Sequence, residues 1–162
     1  MTVDLFIPCF VDQVYPETGM NLVKILRKAG VDVQYNPEQT CCGQMAFNSG
    51  FWDEAKKLGG KFLKDFPNDR PVVGPSASCA GFVRNSYQEL FHNTSNHLEY
   101  KRLVKNMYEI TDFLVNQLGV IDLGASFPHK VTFHDSCAGL REYGLKTEAR
   151  MLLSKVNGLE LV

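Results

Sequence analysis

Short apolar segments alternate with longer amphipathic segments along most of the chain. Three segments are short, apolar and rich in β-branched residues, as buried parallel strands are: 2–8, 31–35 and 70–75. Each is followed by a longer segment with apolar residues at helical spacing: 16–30, 48–66 and 79–91. Strands and helices that alternate in this way form right-handed βαβ units. The pattern therefore predicts an α/β fold with a mostly parallel, Rossmann-like sheet and helices on both faces.

Glycine and proline residues refine these predictions. Pro16 is typical of a helix start, and Gly30 is typical of the residue that ends one. The adjacent Gly59 and Gly60 weaken the middle of the second predicted helix, because glycine is a poor helix former. Further along the chain the pattern predicts two more helices and one more strand: 99–107, 110–118 and 130–134.

The chain contains a weak internal repeat. Residues 3–34 align without gaps on 131–162, and the alignment matches Cys9 with Cys137, Tyr15 with Tyr143 and Gly30 with Gly158, among others. Identities this sparse carry little weight alone, but the aligned cysteine is informative. We therefore expect a first domain over 1–125 and the beginning of a second, similar domain over 126–162, truncated at its end.

Four of the five cysteines follow predicted strands. Cys9 follows the first strand, the adjacent Cys41 and Cys42 lie in the loop after the second, and Cys79 lies in the loop after the third. The carboxyl ends of parallel strands share one edge of the sheet, which is where open α/β sheets hold their ligands. We therefore expect these four cysteines to converge, although some seventy residues of sequence separate the first from the last.

Composition and charge narrow the functional classes. The 162 residues are 44% hydrophobic and carry a net charge of −1, which fits a globular protein with a sizeable core. There is no basic block to favour a nucleic acid, no apolar run of membrane-spanning length and no signal peptide. We therefore expect a cytoplasmic protein with no integral membrane segment. In that compartment thiols stay reduced, so the cysteines are read first as metal ligands or reactive groups.

The Cys41-Cys42 pair leaves several interpretations open. Free cysteines are often plain core residues, and a disulfide between neighbours would be strained and easily reduced. Two adjacent thiolates that bind the same zinc ion form a strained chelate ring, whereas in an iron–sulfur cluster each thiolate can bind a different iron. Gly43 then lets the backbone approach the site closely. A zinc-stabilised or thiol-reactive module remains the alternative to an iron–sulfur protein.

The order of these cysteines resembles the cysteine-rich CCG domain found in heterodisulfide reductase and in the iron–sulfur subunit of glycolate oxidase. In that family a first cysteine is followed by an adjacent pair and then by a C-x-x-C motif. Cys9, Cys41, Cys42 and Cys79 match the pattern, while Ser76 stands where the family has the first cysteine of C-x-x-C. The resemblance implies a [4Fe-4S] cluster, or zinc, held by these four cysteines, with Ser76 as a possible oxygen ligand.

Longer stretches resemble the members of this family that have two successive CCG domains and no ferredoxin domain. The stretches are CCGQMAFNSGFWDEAKK, PSASCAG, YEITDFLVNQLGV and HDSCAGL. The resemblance implies an electron-transfer subunit that works with an iron–sulfur partner and a third subunit to oxidise L-lactate to pyruvate. It also implies that Cys137 is the first ligand of a second site, which stays incomplete in this chain.

Overall fold

A computed structural model describes all residues, 1–162. Four strands form a parallel sheet in the spatial order β2-β1-β3-β4: β1 Thr2–Leu5, β2 Asp32–Tyr35, β3 Val72–Gly74 and β4 Met107–Glu109. A second, smaller parallel sheet pairs β5, Lys130–Val131, with β6, Glu160–Leu161. The α/β fold predicted from the sequence is confirmed.

Eight α-helices surround the strands. They are α1 Cys9–Val14, α2 Pro16–Lys28, α3 Gln44–Asn48, α4 Trp52–Asp65, α5 Ala77–Phe91, α6 His97–Asn106, α7 Ile110–Asp112 and α8 Glu148–Leu153. Two further segments are π-helical, Phe113–Gln117 and Ala138–Tyr143. None of the helices combines the length and the apolar composition needed to cross a bilayer.

The larger sheet buries apolar side chains on both faces. One face carries an aromatic cluster in which Phe6 meets Phe62 edge to face, with ring centroids 4.8 Å apart. The other face packs Val3 and Leu5 of β1 against Leu22 and neighbouring side chains of α2. Burying side chains of this size contributes about 1.5–3 kcal/mol each. β1 is covered on both sides, and the one charge buried in it, the Asp4 carboxylate, accepts hydrogen bonds of 2.7 and 3.1 Å from Arg70.

Several elements differ from the sequence-based predictions, among them the predicted strand 130–134, of which only Lys130–Val131 is a strand, and the predicted helix 110–118, which is α-helical only over Ile110–Asp112 and π-helical over Phe113–Gln117. The second predicted helix, 48–66, begins only at Trp52 as α4, because Gly50 takes a positive φ of 81° just before it, and α3 is a separate short helix ahead of that turn. The first strand ends at Leu5, and the residues after Pro8 form the short helix α1. Strand β4 was not predicted, since its three residues lie directly between two helices and carry no turn signal of their own.

The adjacent glycines of α4 are predicted to respond in opposite ways to alanine. At Gly60 the nearest atom to an added Cβ is 3.8 Å away, whereas at Gly59 that Cβ lies 3.0 Å from the Phe91 ring. Gly60→Ala should therefore raise the free energy of unfolding by roughly 0.5–1 kcal/mol. Gly59→Ala should lower it, because the buried ring must move. Urea denaturation of both variants checks this, and equal gains would contradict the packing at Phe91.

Candidate functional site

The predicted cysteine site lies at the carboxyl edge of the larger sheet. Leu5 pairs with Tyr35 of β2 and with Val73 of β3, so the three strands end at nearly the same level. The segments that carry the cysteines leave from these ends. Cys9 is the first residue of α1, Cys41 and Cys42 lie in the loop between β2 and α3, and Cys79 lies in the first turn of α5. Cys79 is thus inside its helix and not before it, since α5 begins two residues earlier than predicted.

The thiols of these four residues interact in sequence. Cys9 lies within hydrogen-bonding reach of Cys41, Cys41 of Cys42, and Cys42 of Cys79, while charge interactions also couple Cys79 to Cys9 and to Cys41. A hydrogen bond from the Cys42 thiol lowers the pKa of Cys41 to about 5, assisted by the Gly43 N–H, which lies 3.4 Å from the Cys41 sulfur. The Cys42 thiol can instead donate its single S–H to the sulfur of Cys79, which lowers the pKa of Cys79. The presence of these two acceptor sulfurs raises the pKa of Cys42 itself, while burial raises that of Cys9.

The four thiols do not surround a single point. Across the whole chain, no three Cys, His, Asp or Glu side chains converge in the way that the ligands of one metal ion do. Cys9 is exposed, Cys41 and Cys79 are half-buried, and Cys42 is buried. The group of thiols therefore extends from the surface at Cys9 to the core at Cys42, with Cys41 and Cys79 half-buried.

The backbone of the cysteine pair is held by a buried tyrosine. The hydroxyl of Tyr87, which is fully buried, donates a hydrogen bond of 2.8 Å to the carbonyl oxygen of Cys42. Gly43 follows with φ = 93°, and a Cβ there would lie 3.0 Å from the carbonyl oxygen of Ala55. Both the backbone angle and the space therefore require glycine. The sequence indicated the role of Gly43 but not the hydrogen bond of Tyr87, because a tyrosine in a predicted helix looks like any other core residue.

A glutamine ties the loop of the pair to the end of β1. The Oε1 atom of Gln39 accepts a hydrogen bond of 2.8 Å from the Ile7 N–H. Its Nε2 donates to the carbonyl oxygens of Leu5 and Asn36, each at 3.0 Å. Gln39 thereby connects the segment before Cys41 to the segment before Cys9. A polar residue in a loop gives no sequence signal for this role.

Ser76 acts as the N-cap of α5. Its hydroxyl oxygen accepts from the Cys79 N–H at 3.3 Å, which satisfies one of the free N–H groups of the first turn. Two residues on, Ser78 donates a bond of 2.8 Å to Oε1 of Gln44 and so links α5 to α3. The position that carries a cysteine in the CCG pattern therefore supports the helix that carries Cys79.

Cys137 is separate from this arrangement. It is exposed, it precedes the π-helical segment 138–143, and it takes no part in the interactions that link the other four thiols. The neighbouring Ser136 hydroxyl accepts from the Gly139 N–H at 3.0 Å. The structure thus brings four of the five cysteines together and leaves the fifth apart.

Comparison with known proteins agrees with the cysteine pattern. The model of the cysteine-rich CCG domain family matches residues 3–84, a range that includes all four linked cysteines. Lactate utilization protein A 2 of Bacillus cereus is 41% identical over 162 residues, which cover 99% of this chain and 67% of that protein. Lactate utilization protein A of Oceanobacillus iheyensis is 42% identical over 163 residues, covering 100% of this chain and 66% of that protein. The chain belongs to the lactate utilization protein A family.

The family membership inferred from the sequence motifs is thereby confirmed. The chain spans about two thirds of the length of the lactate utilization A proteins that it matches. The match to those relatives continues beyond the CCG model, through β5, α8 and β6. Residues 126–162 are therefore part of the lactate utilization A sequence and are not an unrelated extension.

Cys41 is predicted to be the most reactive of the linked thiols in metal-free protein. Its pKa of about 5 makes it a thiolate at about pH 6.5, whereas the raised pKa of Cys9 leaves that exposed thiol protonated. Iodoacetamide should therefore label Cys41 before Cys9, as measured by peptide mass spectrometry. Cys42→Ala removes the main hydrogen-bond donor and should slow the labelling of Cys41. Faster labelling of Cys9 in the unmodified sequence would contradict this picture.

Loss of the Ser76 cap should destabilise the protein. Ser76→Ala leaves the Cys79 N–H without its partner, and we expect the free energy of unfolding to fall by about 1 kcal/mol. Ser76→Thr keeps a hydroxyl at the cap and serves as the matched control, with a smaller loss expected. Thermal or chemical denaturation measures both. Equal losses in the two variants would show that the hydrogen bond to Cys79 is not what stabilises α5.

Proposed function

We propose that this protein is the iron–sulfur electron-transfer subunit of a multi-subunit complex that oxidises L-lactate to pyruvate. The observation that carries the proposal is the chain of four interacting thiols at one edge of the sheet, contributed by three separate segments. The names of its relatives support a role in lactate utilization. The CCG domain supports the binding of a metal or a cluster.

The donor set fits a [4Fe-4S] cluster better than a single ion. Cysteine thiolates are the ligands such clusters use, and each of the four irons takes one of them. Cys9, Cys41, Cys42 and Cys79 would hold the cluster. Because Cys41 and Cys42 are adjacent, their thiolates can bind two different irons of a cluster, which avoids the strained chelate that a single ion would impose. A tetrahedral zinc ion, the alternative occupant, would require all four sulfurs to converge.

The thiols differ in how readily they would become ligands. Cys41 and Cys79 have lowered pKa values and are the groups most easily deprotonated, while Cys42 and Cys9 have raised pKa values and would release their protons when iron binds. Ser76 remains the cap of α5 in this proposal, because its oxygen already accepts from the Cys79 N–H. The four cysteines are then sufficient ligands without an oxygen from Ser76.

The proposed mechanism is one-electron relay. When bound, the cluster supplies the redox chemistry, and the protein supplies position and shielding. Tyr87 and Gln39 hold the backbone on either side of the cysteine pair, and the core around Cys42 excludes water from the inner side of the site. Substrate oxidation would take place on another subunit, with an iron–sulfur partner and a third subunit completing a cytoplasmic complex.

We further propose that a second domain of the same fold begins at residue 126. Two structural similarities support it. In the larger sheet Val3 pairs with Val33, and in the smaller sheet Val131 pairs with Leu161, which is the same register when Val3 is aligned on Val131. The aligned Gly30 and Gly158 also share a positive φ, 78° and 77°. In this view Cys137 corresponds to Cys9 and is the first ligand of a second site, which is incomplete in this chain.

The decisive experiment is the metal content of protein purified without oxygen. We expect about four irons and four sulfides per chain, with visible absorption that bleaches on reduction. Cys41→Ser and Cys42→Ser should each lose most of the iron. Cys137→Ser is the matched control and should keep it, since Cys137 lies apart from the linked thiols. Stoichiometric zinc without iron, lost in the same two variants, would instead indicate a structural zinc site and overturn the relay.

A further inference from the structure

Helix α1 presents an unusual apolar surface. None of its residues is buried, and the side chains of Phe10, Val14 and the following Tyr15 are 63%, 51% and 57% exposed. The rings of Phe10 and Tyr15 pack on each other with centroids 5.8 Å apart, so they form one patch. We refer to these three side chains as the α1 face. Exposed apolar patches of this kind mark interaction sites more often than isolated exposed residues do.

In the proposed second domain, the segment that corresponds to α1 is covered by α5 of the first domain. When Val3 is aligned on Val131, α1 corresponds to the segment from Cys137 to Glu142, and Tyr15 corresponds to Tyr143. That segment packs closely on α5. A Cβ at Gly81 of α5 would lie 3.4 Å both from the Glu142 Cβ and from the Tyr143 nitrogen. Glu142 corresponds to Val14, so the contact involves the same positions as the α1 face.

Tyr143 is anchored in a specific socket of the first domain. Its hydroxyl donates to Oδ2 of Asp112 at 2.6 Å and accepts from the Glu109 N–H at 2.9 Å. The guanidinium of Arg84 lies 4.6 Å from the centre of its ring. The backbone carbonyl of Glu142 also accepts from Nδ2 of Asn85 at 2.6 Å. Tyr143 therefore fixes the second unit against α5 and the start of α7.

We propose that the α1 face is the docking site for the helix of the second domain that corresponds to α5, so that the two domains contact each other reciprocally. The proposal rests on the second domain proposed above and not on the identity of the cofactor. When two copies of a fold meet through a two-fold contact, each contact between unlike surfaces occurs twice. The first of the two contacts is present here between α5 and 138–143, and the α1 face is the surface that the second one needs.

The chemistry of the occupant follows from the socket around Tyr143. It is a helix with a small residue near its start that lets α1 approach closely, as Gly81 does. The helix carries a guanidinium or an ammonium group that lies over the Tyr15 ring, as Arg84 lies over the Tyr143 ring. A carboxylate on a neighbouring segment accepts a hydrogen bond from the Tyr15 hydroxyl, as Asp112 accepts from Tyr143. The relatives, which are about half as long again as this chain, have the length for such a helix.

A second copy of this chain is a less suitable occupant. Its α5 has the required features, but the surface of that helix is already covered by 138–143 of the same molecule. Self-association through the α1 face would first have to displace Tyr143 from its socket. The oligomeric state therefore distinguishes the two occupants.

The experiment compares this 162-residue chain with an extended protein. The extension is the part of the Oceanobacillus iheyensis lactate utilization protein A that continues beyond the aligned region. Three variants are made in both proteins: Tyr15→Ala, Tyr143→Ala and Tyr35→Ala. Tyr35 is the matched control, because it is 51% exposed on the edge strand β2 and lies outside the α1 face. Melting temperature, iron content and hydrogen exchange of residues 9–15 are the measured quantities.

Reciprocal docking gives a distinct set of results. Tyr143→Ala should lower the melting temperature of both proteins, Tyr15→Ala should lower it only in the extended protein, and Tyr35→Ala should change neither. The amides of 9–15 should exchange at least ten-fold more slowly in the extended protein. Equal exchange in the two proteins, or no effect of Tyr15→Ala in the extended one, would overturn the proposal. So would protection of 9–15 in a dimer of the 162-residue chain.

Two further measurements test docking when the extended protein does not fold and separate docking from cluster binding. If the extended protein does not fold, hydrogen exchange is measured on the complete Oceanobacillus relative and on a version ending where the alignment with Val162 ends. Faster exchange of the α1 segment in the shortened version supports docking, and equal exchange overturns it. Iron content separates the two proposals, since Tyr15→Ala should not change it. Absence of iron from every protein would contradict the cluster without affecting the docking result.

Discussion

The parallel pairing of β1 with both of its neighbours is the constraint on which the rest of the structure depends. With β2 on one side and β3 on the other, three strands from distant parts of the sequence end at one level. The hydrogen bonds of Arg70 to Asp4, 2.7 and 3.1 Å long, add a side-chain link between β1 and the segment that leads into β3. Each strand end then delivers a cysteine to the same edge. A shift in this register would separate the thiols without changing any of them.

The polar side chains around the site hydrogen-bond to the backbone, whereas the Cys41 sulfur is contacted by the main-chain N–H of Gly43. Tyr87 bonds the carbonyl of Cys42, Gln39 bonds the main chain ahead of Cys41, and Ser76 bonds the N–H of Cys79. Burying a hydroxyl or an amide is favourable only when it is hydrogen-bonded, so these groups define one conformation of the loops. The result is a group of cysteines whose arrangement is set largely by contacts to the main chain.

Much of this arrangement could be predicted from the sequence. The alternation of apolar and amphipathic segments was sufficient for the α/β fold, because parallel strands and the helices that cover them have different periods. The rule that the carboxyl ends of parallel strands share one edge then predicted that Cys9, Cys41, Cys42 and Cys79 lie close together. The sequence did not predict whether each cysteine lies inside or outside a helix, since helix ends depend on individual caps such as Ser76.

Contacts between side chains and distant parts of the chain could not be predicted from the sequence pattern. Tyr87 looks like a core residue and Gln39 like a solvated loop residue, and their partners lie 45 and more than 30 positions away in the chain. The short strand β4 was missed for a related reason. Its three residues become a strand through pairing with β3, and not through a local preference.

The difference in exposure between Cys9 and Cys42 has a consequence for the order in which a metal or cluster would be bound. Cys42 lies in the core at 2% exposure, with its carbonyl already tied to Tyr87, whereas Cys9 lies at the surface. The inner half of the site is therefore built by folding itself, before any inorganic component arrives. The components of the proposed cluster would reach the exposed Cys9 before the buried Cys42, so its assembly would proceed inward from the surface.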